Sequence, residues 1–355
     1  MAEQATAPLL ETKPLVTDIL AAAVEHDRER QIITRRYGLY ERKETLEQIG
    51  ELLGITRERV RQLEKSVMAR LRAAAEQGTV PHIEDIQARI LTELNRAGGI
   101  APISELATHL VADANRDEQS RLAFLARLCP ELIVLDEDND FHLCIAVTAL
   151  HADEKQLKKL IARLIDVIKK GGEARPIDTI AAEAGLHDHH HARALAHASK
   201  HLANLNGNWG LVKWPMVNPK NIRDKIYVIL SQNARHMHFN DIAEAIKKSE
   251  FKRKDVTTQA IHNELIKDDR FVLIGRGIYA LKEWGYRRGT VSDIITEVLR
   301  AEGSPLHRDE IVKRVLKTRY VKETTILLNL QGKSQFKRVA KATYALADDD
   351  QQPAQ

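Results

Sequence analysis

Cysteine and aromatic side chains are scarce in this chain of 355 residues, which has two cysteines, three tryptophans, seven tyrosines and six phenylalanines. Cys129 and Cys144 lack the paired spacing of a metal site. That argues against a cysteine-built metal or disulfide framework and fits a reducing cytoplasm, with one disulfide at most. No apolar run reaches the roughly eighteen residues that a membrane helix needs. The opening "MAEQATAPLLETKP" lacks the basic start and apolar stretch of a signal peptide. Phosphate-loop, dinucleotide and HExxH signatures are missing as well, no nucleophile–base pair stands out, and the carboxylates are scattered. Neither catalysis nor a cofactor nor a metal is therefore expected. With aromatics at 5% and hydrophobic residues at 43%, the composition suits several small helical cores better than one large sheet.

An excess of one charge is also missing overall, since the formal net charge is only +4. The distribution is uneven. Residues 26–72 hold 12 basic and 8 acidic side chains, and residues 73–218 hold 15 basic and 20 acidic. Residues 219–347 hold 26 basic and 15 acidic, before an acidic tail at Asp348–Asp350. Two basic blocks flank an acidic middle, and a polyanion would settle on the basic ones.

A helix is expected near Val16–Glu25 and another from Asp27 to Arg36, broken at Gly38. The stretch "TLEQIGELLGITRERVRQLEKSVMARL", residues 45–71, then reads as two amphipathic helices joined at a glycine. Thr45 is a good N-cap, followed by Leu46, Ile49 and Leu53 at helical spacing. Gly54 suits the left-handed residue that ends a helix, and Thr56 caps the next. In that second helix Val60, Leu63, Val67 and Leu71 cluster within about 80°. Arg57, Glu58, Arg61, Gln62 and Lys65 occupy the opposite side, within about 140°. This is the helix-turn-helix arrangement, whose second helix can enter a major groove. Arginine pairs with guanine, glutamine with adenine, and glutamate accepts from the cytosine amino group. The rival reading is a solvated face whose Glu58 and Gln62 pair with Arg57 and Arg61.

Beyond a turn at Gly78 and Pro81, expected as a linker, lies a diverged repeat. "ILTELNRAGGIAPISELATHL", "LIDVIKKGGEARPIDTIAAEA", "IYVILSQNARHMHFNDIAEAI" and "IITEVLRAEGSPLHRDEIVKRV" each read as helix, break, Pro or His, and second helix. Pro102, Pro176, His238 and His307 match, at intervals of roughly 60–75 residues. Each copy ends in two apolar strand-like pieces around a turn, the order of a winged helix. The expected fold is mainly α, a helix-turn-helix domain followed by tandem winged helices with small β-hairpin wings. The expected divisions are an N-terminal segment (1–26), the helix-turn-helix (27–78), winged-helix units at 82–150, 151–217, 218–286 and 289–347, and a polar tail (348–355).

The first wing, "LDEDNDF", is acidic and would repel phosphate, so it is expected to face protein or solvent. "KKSEFKRKD" holds Lys252, Arg253 and Lys254, expected to touch phosphate. The histidines between His187 and His201 include His197 and His201 at i,i+4; a surface cluster is preferred to a metal site. Trp209, Trp214 and Trp284 lie in or beyond wings, where packing on the wing's own helices is the usual role.

Two resemblances add to this. "RRYGLYERKETLEQIGELLGITRERVRQLEKSVMARLR" resembles region four of sigma-70 family sigma factors, with "GITRERVRQLEK" nearly that family's signature. The resemblance implies binding of the minus-35 promoter element and docking on the RNA polymerase β flap. It also implies that Arg57, Glu58, Arg61, Gln62 and Lys65 meet bases or phosphates, and that Thr45 holds a phosphate at a helix N-terminus. Barely two dozen residues without an aromatic precede the match, so the chain is expected to read duplex DNA rather than open it. "HMHFNDIAEAI…RFVLIGRGIYALKEWGY", and less fully "SPLHRDEIVKRV…KATYAL", resemble the HARE-HTH family of winged helices.

The sequence thus points to a non-enzymatic, cytoplasmic, nucleoid-associated transcription regulator. Its expected partners are double-stranded promoter-like DNA and RNA polymerase, with no membrane. The alternatives are a delta-like polymerase accessory protein, which the acidic middle favours, and a DNA-sensing part of a restriction or defence system.

Overall fold

The computed structural model describes residues 9–251 and 255–347. It is mainly helical, with four small antiparallel sheets of three strands each. The chain divides between Lys213 and Trp214 into two compact units.

In the first unit, α1 (Thr12–Ala23), α2 (Asp27–Tyr37), α3 (Leu46–Leu53) and the long α4 (Arg57–Glu76) come first. Apolar spacing explains how they assemble. Ile32 of α2, Ile49 of α3 and Val60 of α4 make a small core of their own, with Leu46, Leu53, Ile55 and Leu63 around it. Ile33 of α2 and, about two to three turns further along α4, Val67, Met68 and Leu71 belong to a different cluster. They join a larger core with Val16, Ile19 and Leu20 of α1.

The larger core is completed by a winged helix. Its elements are α5 (Ile83–Ala97), β1 (Ile100–Pro102), α6 (Ile103–Leu110), α7 (Arg116–Leu128), β2 (Leu132–Leu135) and β3 (Cys144–Val147). α7 is the hub: Leu122, Phe124, Leu125, Ala126 and Leu128 are all buried, with Phe124 against the ring of Tyr37. Arg121 is buried too, and spends its guanidinium on the Thr12 hydroxyl (2.9 Å), the Leu39 carbonyl (2.8 Å) and Glu118 (2.6 Å). A buried charge with that many partners ties α1, the α2–α3 connection and α7 together.

Two local expectations shift. The first helix runs Thr12–Ala23 rather than from Val16, because Leu10 and Thr12 are buried and extend the apolar face backward. The stretch at Gly78–Pro81 is a tight turn rather than a spacer. Gly78 adopts φ +69°, and Val80 and Ile83 are buried in the shared core.

A second winged helix follows: α8 (Glu154–Gly171), β4 (Arg175–Pro176), α9 (Ile177–Glu183), α10 (His189–His197), β5 (Leu202–Leu205) and β6 (Asn208–Leu211). It docks on the first through the acidic wing. Asp138 closes the β2–β3 loop by accepting from the amides of Asp140 and Phe141, both at 2.8 Å. Lys200 then reaches Glu137 (2.7 Å), His201 reaches Asp140 (2.7 Å) and Lys158 reaches Asp138 (3.6 Å). Backbone pairing of Phe141 with Ser199 makes the joint partly a sheet. The lysine holds the Glu137 carboxyl below its usual range, and the two backbone amides do the same for Asp138.

The second unit holds two more winged helices. One is α11 (Ile222–Asn233), β7 (Met237–His238), α12 (Phe239–Lys248), α13 (Thr258–Lys267), β8 (Phe271–Gly275) and β9 (Ile278–Leu281). The other is α14 (Val291–Glu302), β10 (Leu306–His307), α15 (Arg308–Thr318), α16 (Glu323–Gly332), β11 (Phe336–Ala340) and β12 (Thr343–Leu346). In all four copies the short first strand pairs with the last, giving orders β1-β3-β2, β4-β6-β5, β7-β9-β8 and β10-β12-β11. Pro102, Pro176, His238 and His307 end those short strands and are the N-caps of the helices that follow. Proline's fixed φ and missing N–H suit that corner. The histidines replace it by accepting on Nδ1 from the amides of Asn240 (3.3 Å) and Asp309 (3.4 Å).

Candidate nucleic-acid interface

The helix-turn-helix is held by local rules that the residues dictate. Thr45 and Gln48 form a reciprocal capping box. The Gln48 amide donates to the Thr45 hydroxyl (3.3 Å), and the Thr45 amide donates to Gln48 Oε1 (2.9 Å). Threonine followed three residues later by glutamine is the sequence signal for this box, and it identifies Gln48. Gly54 ends α3 at φ +62°, and the Thr56 hydroxyl caps α4 through the Arg59 amide (3.2 Å). Gly50 has a different duty. A Cβ there would sit 2.7 Å from the Ile55 carbonyl oxygen, so only glycine lets the turn fold back onto α3. Arg28 closes the far side by donating to the Leu53 carbonyl (2.7 Å).

With Val60, Val67 and Leu71 buried, the opposite face of α4 is open, and Leu63 is half-buried at its edge. Arg57, Glu58, Arg61, Gln62 and Lys65 are exposed together there, and Thr45 is exposed at the start of α3. Arg57 bridges to Glu47 of α3 at 2.9 Å. Arg61 donates from Nε and Nη2 to the two oxygens of Glu58, at 2.8 and 2.7 Å. Gln62 lies 3.4 Å from the same carboxylate. Arg61 holds the Glu58 carboxyl below its ordinary value, and Glu58 in turn pushes the guanidinium up.

The pairing of Glu58 with Arg61 that the rival reading expects is present. The intrahelical pairs form, and they leave the reading chemistry in place. The Glu58 clamp takes Nε–H and one Nη2–H of Arg61. The outer Nη1 and Nη2 protons remain, and they are the parallel donors that guanine O6 and N7 require. At Thr45 the box satisfies the amides of Thr45 and Gln48, while those of Leu46 and Glu47 are the remaining donors of the α3 N-terminus. Glu47 was the residue that spacing arguments missed, because its partner lies on another helix.

Other sequence-level candidates fall elsewhere. Lys252, Arg253 and Lys254 lie outside the described residues. The His197–His201 pair is not helical, because α10 ends at His197. His197 packs edge-on against Trp209 (4.8 Å), and His201 serves Asp140. Trp209 is buried on its own third helix, and Trp284 packs against the third wing. Among the described residues no group of three or more metal-type ligands converges, and no helix is long and apolar enough to cross a membrane.

Comparison with known proteins places this geometry. Over 47 residues the chain is 55% identical to the RNA polymerase principal sigma factor HrdC of Streptomyces coelicolor, a match covering 13% of this chain and 14% of that one. Over 46 residues it is 48% identical to the RNA polymerase sigma factor sigB of Arabidopsis thaliana, covering 13% and 8%. The chain thus spans a small fraction of the length of either relative. Residues 26–73, which hold α2, α3 and most of α4, match the family described as Sigma-70, region 4, the DNA-binding helix-turn-helix of sigma factors.

Proposed function

We propose that this chain is a non-enzymatic, sequence-specific transcription regulator that reads a minus-35-like promoter element through the N-terminal half of α4. The observation that carries the reading is the exposed set of Arg57, Glu58, Arg61 and Gln62 opposite a buried stripe, within a segment similar to sigma-70 region 4. Thr45 and Lys65 supply phosphate contacts at the groove edges, and the basic C-terminal winged helices, with Lys252, Arg253 and Lys254, add more. The protein works in the cytoplasm at the nucleoid, and it cooperates with RNA polymerase.

The rival reading, a delta-like polymerase accessory protein, draws on the HARE-HTH resemblance of the last two winged helices. Three carboxylates of the acidic middle, Asp138, Glu137 and Asp140, are taken up within the chain by Lys158, Lys200 and His201, and the others remain available to that reading. The inner apolar face of α2 and α4 is likewise covered by α1 and α7 of this same chain, and polymerase docking would need another surface. The same resemblance supports a DNA-sensing role in a defence system, which a nuclease or methylase encoded next door would strengthen.

The test is selection of bound sequences from random duplex DNA, with and without polymerase. Arg61→Ala or Gln62→Ala should weaken the selected site by about 1–3 kcal/mol and leave random duplex unchanged. Equal losses on both would defeat base reading. A polymerase pull-down that survives nuclease treatment, without DNA binding by the isolated protein, would favour the accessory role.

A further inference from the structure

The third helix of a winged helix is the one that can enter a groove, and the four copies here differ in whether it is available. α7 is surrounded by α1, α2 and α4. α10 packs on β1 and α5, with His191 Nδ1 2.6 Å from the Gly98 carbonyl. α13 and α16 keep an exposed face.

On α13, Ile261 and Leu265 are buried at 0% and 1% exposure. Gln259, Asn263 and Ile266 are exposed at i, i+4 and i+7, within about 60° of one another on the opposite side. Gln259 donates one Nε2 proton to Asn263 Oδ1 (3.1 Å). That bond steadies the glutamine and leaves its carbonyl oxygen beside a second N–H. Adjacent amide acceptor and donor match the N6 and N7 edge of adenine. Ile266, 60% exposed, extends the row with an apolar group, and the thymine methyl is the apolar feature of a groove floor. Lys247, Lys267 and Arg276 are exposed on the same winged helix, in the block of 26 basic and 15 acidic residues. α16 presents Thr324, Leu328 and Gln331 at the same spacing, with one amide and no partner for it on that row.

We infer that α13 is a second base-reading helix, whose ligand is duplex DNA carrying an A·T step. This rests on duplex DNA being the ligand of the protein, and it adds a second base preference, chemically distinct from the one read by α4.

The experiment uses the full chain and a random duplex pool, comparing wild type with Q259A/N263A and with R61A/Q62A. Wild type should enrich two blocks. Q259A/N263A should lose the A·T block, bind the full site about tenfold or more weakly, and keep the α4 block. R61A/Q62A should do the reverse. Identical selected sequences for wild type and Q259A/N263A, at equal thermal stability, would overturn the inference whatever happens to the α4 block. An A·T block without an α4 block would sink only the proposed function. As a second readout, replacing thymine by deoxyuracil in the selected block should weaken wild type several-fold and Ile266→Ala not at all. Equal losses would remove Ile266 from the groove. Loss of polymerase capture by Q259A/N263A with an unaltered DNA profile would put a protein on this face and likewise overturn it.

Discussion

The loop between β2 and β3 carries Asp136, Glu137, Asp138 and Asp140, and Lys158, Lys200 and His201 hold it against the second winged helix. The hairpin of β11 and β12 has the same place in its own three-stranded sheet, yet it carries Lys337, Arg338 and Lys341 and stands exposed. One plan thus serves two ends. An acidic wing among basic neighbours becomes an internal joint. A basic wing that keeps its strand face exposed is open to a polyanion. The third helices divide the same way, with α7 and α10 covered in the first unit and α13 and α16 open in the second.

The hardest way to break this contrast is at its hub. Phe124→Ala removes a fully buried ring from the core shared by α1, α2, α4 and α7, and should cost about 3–5 kcal/mol in denaturant melts of the first unit. DNA reading by α4 should fall with it at moderate temperature. Recovery of full binding with an unchanged melt would mean that α4 does not depend on that core.

A pH titration probes a polar group buried in the first unit. His151 is 1% exposed, neither ring nitrogen has a hydrogen-bond partner, and His191 stacks on it at 4.9 Å. Burial, helped by His191, pushes its pKa down to about 4. Above about pH 6.5 the ring is neutral in both folded and unfolded chains. Below that the unfolded chain takes up the proton first, so stability should decline between about pH 6.5 and 4, by about 3 kcal/mol in all. His151→Phe should flatten that limb in pH-dependent thermal melts. A variant that keeps the wild-type acid slope would place the sensitivity at another group.

On the open side, Arg338→Ala with Lys341→Ala should lower affinity for all duplexes alike and reduce the slope of log K against log salt by about 1 per lost phosphate contact. An unchanged slope would take the last wing out of the interface. The smallest effect belongs to the joint itself. A double-mutant cycle on Glu137 and Lys200 should give a coupling of about 0.2–1 kcal/mol, since the carboxylate is largely exposed. A coupling well above that would show that the ion pair, rather than the backbone pairing at Phe141 and Ser199, holds the two winged helices together.

Short-range order was legible from residues alone. Thr45, Gly54 and Thr56 act through their immediate neighbours, and a left-handed glycine or a hydroxyl cap obeys the same rule in any protein. The repeat was legible for the same reason, because Pro102, Pro176, His238 and His307 each answer a local corner. Glu47 and Gly50 escaped notice because their duties are set by other segments, Arg57 on α4 and the Ile55 carbonyl.

By itself the sequence determined the mainly helical fold class, the helix-turn-helix with its exposed Arg57, Arg61 and Gln62, and the apolar side of each helix. Only the tertiary structure decided what covers each apolar side: that α1 and α7 fill the inner face of α4, that the acidic run is a joint, and that α13 stays uncovered. Periodicity records which side of a helix avoids water, since that is a property of consecutive residues. Which partner excludes the water depends on segments brought together across the chain, as Arg121 shows by reaching Thr12 and Leu39 from α7.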